Sequence, residues 1–172
     1  LDLAVMMKRK VDVVQTLSKG IEALLAKNKV AKIKGTGRLA GEGRVNVTSS
    51  DGAVTEVSAQ RIILAVGSHS VVLPGIECDG SRVGTSTEAL SYSEVPKHLV
   101  VIGGGYIGLE VAASLRKKGM VVTVIEAANR ILARVASEPL ADSLTKLHED
   151  NGVQVLTGVG VDSINAEDGI FD

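Results

Sequence analysis

The sequence predicts an α/β fold in which buried parallel strands alternate with helices, and three observations predict it. Leu99–Ile102 and Val121–Ile125 are short apolar runs without charge, as strands covered on both faces require. Between them, Gly103-Gly104-Gly105 turns the chain into a helical pattern from Tyr106 to about Lys118. Aromatic residues make up only 2% of the 172 residues and there is no Trp, so a core must be built from Val, Ile, Leu and Ala.

From the beginning of the chain, Leu3 to about Lys27 is expected as one long helix. Val11, Val14, Leu17, Ile21, Leu24 and Leu25 recur at spacings of three and four and make one apolar face. Lys8, Arg9, Lys10, Lys19 and Lys27 then form its solvated side, and Asn28 is a plausible stop. Val30–Lys34 alternates apolar and basic residues, the pattern of a half-buried strand. Arg44–Thr48 and Val54–Ala59 flank Ser49-Ser50-Asp51-Gly52, which reads as a hairpin with an Asp-Gly turn. Arg61–Val66 is expected as a buried strand ending at Gly67-Ser68. These strands interrupt the strand–helix alternation as an antiparallel insertion.

Val71 to Pro96 is a connector punctuated by Pro74-Gly75, Asp79-Gly80 and Pro96, with a domain boundary near residues 80–96. Residues 1–80 and 81–172 are the two expected domains. Beyond the central unit, Pro139 to about Asn151 is expected as a helix, Val153–Leu156 as a third parallel strand and Val159–Ile164 as an edge or antiparallel strand. A further strand begins as the chain reaches Asp172.

The central stretch has the order strand, glycine turn, helix, strand, acid, which is the βαβ unit that binds a dinucleotide. Gly103 permits the tight turn, Gly105 lets backbone approach a pyrophosphate, and Gly108 lets the helix lie close on the sheet. The unpaired N–H groups and positive dipole end of that helix face the phosphates. Glu126 follows at the position where a carboxylate accepts from both ribose hydroxyls. Its charge repels a 2′-phosphate, which favours NAD over NADP, with Arg130 close enough in sequence to complicate that preference.

Composition narrows the alternatives. A net charge of −1 gives no electrostatic reason to bind nucleic acid or an anionic membrane. No apolar run reaches the roughly 18 residues of a transmembrane helix. Leu1-Asp2 does not start a signal peptide, and both ends read as cut, as in an internal piece of a larger flavoprotein. The one cysteine, Cys78, excludes an internal disulfide and reads as an ordinary loop thiol in a reducing compartment. His69, His98 and His148 have no metal-ligand spacing. Glu149-Asp150 is a solvated charge run, whereas Glu110, directly after the glycine motif, has structural and functional readings of equal weight.

The chain resembles the pyridine nucleotide–disulfide oxidoreductases. The residues that carry this are MMKRKVDVVQTLSKGIEALLAKNKV, IKGTGRL, RIILAVGSHSVVLPGI and STEALSYSEVPKHLVVIGGGYIGLE, in that order. Within the family, residues 1 to about 110 look most like dihydrolipoamide dehydrogenase. The resemblance implies an FAD/NAD-binding, three-layer Rossmann-like fold, with 1–80 closing an FAD domain and 81–172 opening an NAD domain. It implies NAD binding by Gly103, Gly104, Gly105, Tyr106, Ile107, Gly108, Leu109, Glu110 and Glu126. Tyr106 and Ile107 would sit near the nicotinamide and Glu110 near the flavin. Gly37, Val66, Gly67 and Ser68 would pass close to FAD.

In that family electrons pass from dihydrolipoamide through a redox disulfide and FAD to NAD. The implied partner is a 2-oxo acid dehydrogenase complex, the implied state a homodimer, and the implied compartment the mitochondrial matrix or bacterial cytoplasm. Ala65-Val66-Gly67 replaces the family's Ala-Thr-Gly, which removes a hydroxyl near the flavin. The redox cysteines, the FAD glycine motif and the C-terminal His–Glu pair lie outside this chain, so no catalytic residue is expected within it. After about Val111 the sequence looks more like rubredoxin, ferredoxin and putidaredoxin reductases, which would make an iron–sulfur protein the partner. A noncatalytic nucleotide-binding module is the third reading.

Overall fold

The computed structural model describes residues 2–167, 170 and 171. Val5–His69 forms one compact unit, and Ser70 onward forms the greater part of a second.

The first unit begins in α1 (Leu3–Lys27), the helix that the apolar periodicity predicts. It ends as expected at Asn28, whose N–H and side-chain amide both donate to Leu24 O. Lys29 takes the left-handed conformation at φ 55°, its N–H donates to Ala26 O, and Val30 N–H reaches back to Leu25 O. Among the described residues the apolar stripe of α1 is uncovered, with Leu17 64% and Ile21 60% exposed.

Three antiparallel strands follow in the order β1 (Thr36–Gly41), β2 (Arg44–Thr48) and β3 (Val54–Ser58). β2 and β3 join through the expected Asp-Gly turn. Asp51 Oδ1 accepts from the Ser49 hydroxyl and from Ala53 N–H, and Gly52 supplies φ 86°. These two donors, the hydroxyl first, hold the Asp51 carboxyl below its ordinary range.

Two expected strands of this unit do not form. Val30–Lys34 is irregular, and the strand beside β2 is instead β1, beginning at Thr36. Lys32 ion-pairs with Glu22 of α1, so this segment is tied to the helix and not to a ladder. That ion pair pulls the Glu22 carboxyl down. Arg61–Val66 is also irregular, with Ile63 91% and Val66 88% exposed. No described strand pairs with it, and an extended run without a ladder cannot satisfy its backbone groups internally.

In the second unit the connector contains a one-turn helix, α2 (Ser86–Ala89), that the reading above does not anticipate. It starts in a capping box: Thr85 Oγ1 accepts from Thr87 N–H, and the Glu88 carboxylate accepts from Thr85 N–H at 2.7 Å. The parallel sheet then follows in the order β4 (His98–Ile102), β5 (Val121–Glu126) and β6 (Val153–Thr157). Two helices make the crossovers. α3 (Tyr106–Arg116) links β4 to β5, and α4 (Glu138–Asp150), with Pro139 in its first turn and Gly152 after its end, links β5 to β6.

Register explains the core. Val101, Val124 and Val155 stand side by side across the sheet, as do Leu99, Val122 and Val153. Leu109, Ala112 and Leu115 of α3 and Ala141 and Leu144 of α4 pack into the same cluster as Val122, Val124 and Val153. Val122, Val124, Ala112, Ala141 and Ile131 are fully buried. At about 1.5–3 kcal/mol for each large side chain, this cluster is the main force holding the unit together. On the alternate positions His98 Nε2 lies 2.9 Å from Thr123 Oγ1, which donates to Gln154 Oε1 at 3.2 Å. Val100 and Val121 are about half exposed.

After β6 the expected strand Val159–Ile164 is irregular. Gly158 turns the chain at φ 69°, and its N–H goes to Ala128 O, away from the sheet ladder. A short hairpin, β7 (Ala166–Glu167) with β8 (Ile170–Phe171), follows; residues 168, 169 and 172 of the expected closing strand lie outside the described residues.

Candidate dinucleotide site

The three glycines after β4 do different work. Gly103 has φ 109°, a conformation that side chains resist, and its N–H donates to Ile125 O at 2.8 Å. The turn is therefore stitched to the end of β5 at its first residue. Gly105 is the N-cap of α3 with φ −78°, and a Cβ placed there would meet nothing within 4 Å. Its lack of a side chain is not needed for this chain's own packing, so the open space above it suits an approaching ligand. At Gly108 a Cβ would lie under 3.0 Å from the Gly103 carbonyl oxygen and 3.0 Å from Val101 Cγ1. Here glycine serves close helix–sheet packing.

Gly104, the position that a GxGxxG fingerprint leaves free, is held at both its N–H and its carbonyl. Its N–H donates to Glu126 Oε2 at 2.7 Å, and its carbonyl accepts from Leu132 N–H at 2.9 Å. It is buried, and a Cβ would lie 2.9 Å from Ile131 Cγ2 and 3.1 Å from Glu126 Cβ. The fingerprint leaves Gly104 open and so carries no signal for this role. Only the turn after Glu126 reveals it.

Glu126 ends β5 beside this turn. Besides the bond from Gly104, its Oε1 accepts from Ala128 N–H at 2.8 Å. Each oxygen thus has one backbone donor and keeps lone-pair capacity for another. The carboxylate is half-buried and fixed in direction. Arg130, four residues on, does not share the site's open side: its guanidinium donates to Ala136 O at 2.9 Å and Ala133 O at 3.1 Å. The cation that could have complicated nucleotide preference is occupied by its own turn.

At the start of α3 no side chain caps the helix. Tyr106 and Ile107, in the first turn, are 63% and 47% exposed, Leu109 is buried in the core, and Glu110 is exposed. The structure therefore brings together an uncapped helix N-terminus, an open glycine and a directed carboxylate. That set fits a dinucleotide: N–H donors and dipole for a pyrophosphate, carboxylate for ribose hydroxyls. Leu109 does not line the surface and serves packing.

Gly37, Val66, Gly67 and Ser68 belong to the other unit and are all exposed. Gly37 stands in β1 opposite Val47, where a Cβ would make only ordinary contact with Val45. Gly67, at φ 71°, turns the chain in an irregular segment. They offer accessible backbone and form no cradle of their own.

Other candidates stay outside the chemistry. Cys78 is exposed and free. Among the described residues no group of three or more His, Cys, Asp or Glu could hold a metal ion, and no helix is long and apolar enough to cross a membrane. A hollow of about 730 Å³ lies in the connector, lined by residues such as Val72, Ile76, Asp79 and Ile164. The Asp79 carboxylate beside it is engaged by the N–H groups of Ser81, Arg82 and Val83 at 2.7–3.0 Å, which draw its pKa down to about 2.

Residues 2–171 match the family described as pyridine nucleotide-disulphide oxidoreductase. Dihydrolipoyl dehydrogenase 3 of Pseudomonas putida is 46% identical over 171 residues, which are 99% of this chain and 36% of that protein. The crystal structure of LpdA from Mycobacterium tuberculosis superposes with a TM-score of 0.90 over 99% of this chain and 38% of that one; at 24% identity this likeness speaks for the fold. A ferredoxin reductase from Rhodopseudomonas palustris, 28% identical, superposes with a TM-score of 0.69 over 87% of this chain and 38% of its own. The chain thus spans little more than a third of the length of these proteins. With a glycine turn, helix and terminal acid arranged as above and the family match running nearly end to end, the chain belongs to the pyridine nucleotide-disulphide oxidoreductases.

Proposed function

We propose that the glycine turn and Glu126 form the NAD site of a flavin-dependent oxidoreductase of the dihydrolipoyl dehydrogenase type. The observation that carries this is the Glu126 carboxylate, aimed by the Gly104 and Ala128 N–H groups beside the uncapped end of α3. Gly103, Gly104, Gly105 and Gly108 shape the pyrophosphate cradle, while the N–H groups of Tyr106 and Ile107 face its charge. Glu126 takes the adenosine ribose, and its charge disfavours a 2′-phosphate. The exposed Tyr106 and Ile107 side chains border the nicotinamide, with Glu110 toward the flavin. Gly37, Val66, Gly67 and Ser68 contribute backbone to an FAD site.

When bound, FAD and NAD supply hydride chemistry, and the residues of this chain align and shield them. None of these residues is assigned an acid, base or nucleophilic role. The electron donor in this reading is dihydrolipoamide on a 2-oxo acid dehydrogenase complex, with the enzyme a homodimer. The similarity to a ferredoxin reductase supports a second reading, in which the partner is an iron–sulfur protein.

Calorimetric titration with NADH, NADPH and FAD, beside Glu126→Arg, tests the site. NADH binding in preference to NADPH, weakened or reversed in the variant, supports the reading. Equal binding of both nucleotides that the variant leaves unchanged would refute it. Turnover with dihydrolipoamide set against reduction of a ferredoxin by NADH separates the two partners.

A further inference from the structure

We infer that Arg130 is a positioning residue for the dinucleotide turn: by clamping the turn after Glu126 it holds Leu132 where its N–H fixes the Gly104 carbonyl. This deepens the nucleotide reading above and rests on it. Leu132 has φ 52°, a left-handed conformation that a bulky residue adopts only when its surroundings enforce it. The enforcement is visible. Arg130 donates to Ala133 O and Ala136 O, and the N–H groups of Val135 and Ala136 both donate to Leu132 O at 3.0 Å.

The consequence reaches the glycine turn through two contacts. Leu132 N–H bonds Gly104 O, and the fully buried Ile131 packs so close to Gly104 that an added Cβ would lie 2.9 Å from its Cγ2. Gly104 in turn gives its own N–H to Glu126. One guanidinium therefore supports both parts of the site, the pyrophosphate turn and the ribose carboxylate, without facing the nucleotide.

The test uses the intact protein with Arg130→Met and Arg130→Lys, titrated with NADH and with NADPH, and amide exchange followed at Leu132 and Val124. Arg130→Met should weaken NADH about tenfold and NADPH by less, because the turn loosens for both nucleotides while the carboxylate that discriminates between them loses its aim. Lysine donates to a carbonyl as a point charge without the fork and should restore part of the loss. The Leu132 amide should exchange faster in the Met variant while Val124 is unchanged. NADPH weakened more than NADH would mean that the guanidinium meets the 2′-phosphate of the nucleotide itself, and would overturn the proposal. So would unchanged affinity with an unchanged Leu132 amide. Failure of the underlying site shows separately, as wild-type protein that binds neither nucleotide, and the proposal falls with it.

Discussion

Alanine at Gly105 and alanine at Gly108 should fail in opposite ways, and the contrast tests how the glycine turn is built. At Gly108 a Cβ would stand under 3.0 Å from a backbone oxygen and 3.0 Å from Val101 Cγ1, against an ordinary close C···O approach of about 3.3 Å. A backbone oxygen at a stitched turn cannot swing aside, so α3 must lift from the sheet. Overpacking of this kind costs about 1–3 kcal/mol, and the gain in helix propensity returns at most about 1 kcal/mol. The net loss of about 1–2 kcal/mol lowers Tm by roughly 2–8 °C in a chain of this size. Gly105→Ala meets open space at an extended backbone angle, and its cost to folding is at most about 1 kcal/mol, as for a weaker N-cap. Its methyl occupies the pyrophosphate approach, so NADH affinity should drop at least about tenfold. Thermal melts and NADH titrations of both variants read this. NADH affinity of Gly105→Ala within about twofold of wild type would refute the cradle argument, since the fold gives no other need for glycine there.

Two pH effects and one measurement of strand order extend the set. Backbone donors from Ser81, Arg82 and Val83 lower the Asp79 pKa from 3.8 to about 2, so its contribution to stability is complete above 3.8 and is lost as pH falls toward 2. Urea midpoints between pH 4 and 2 should fall more steeply in wild type than in Asp79→Asn; parallel curves would count against these backbone hydrogen bonds as the cause. Burial lowers the His148 pKa below the ordinary 6.5, so the unfolded chain takes up the proton first and stability declines as pH falls through that value. His148→Gln should flatten the decline between pH 7 and 5.5, and an unchanged slope would show that the imidazole is not the cause. Amide exchange distinguishes the apolar runs, with Val122–Val124 protected and Ile62–Val66 close to unprotected.

How much was legible in the sequence follows from how local each signal is. The turn at Gly103–Gly105, the helix from Tyr106 and the acid at Glu126 are adjacent in sequence and in space, so their pattern reads directly. α2 was legible in principle, since Thr85-Ser86-Thr87-Glu88 is a capping-box signature at the start of one turn. β1 was not, because Thr36-Gly37-Arg38-Leu39-Ala40-Gly41 alternates poorly and becomes a strand only by pairing with β2. Arg130 read as a competitor for nucleotide specificity because sequence distance alone put it near Glu126. Its bonds to Ala133 O and Ala136 O accompany a left-handed Leu132, which no local propensity announces.

The same physics explains why Ile62–Val66 and Val121–Ile125, alike in composition, fare differently. An apolar β-branched run states a capacity for burial, and a strand exists only when a neighbour completes its ladder. Val121–Ile125 has β4 on one side and β6 on the other, each in unbroken parallel register, and α3 and α4 close one face over it. Ile62–Val66 has no described strand beside it, and the exposure of Ile63 and Val66 follows. The exchange measurement is therefore a test of neighbours and not of sequence. On the 172-residue chain, slow exchange at Ile63 and Leu64 would require a partner strand for this segment and would overturn its irregular assignment. Rapid exchange there, beside slow exchange at Val124, would place the stability of these residues in the βαβ unit that carries Glu126.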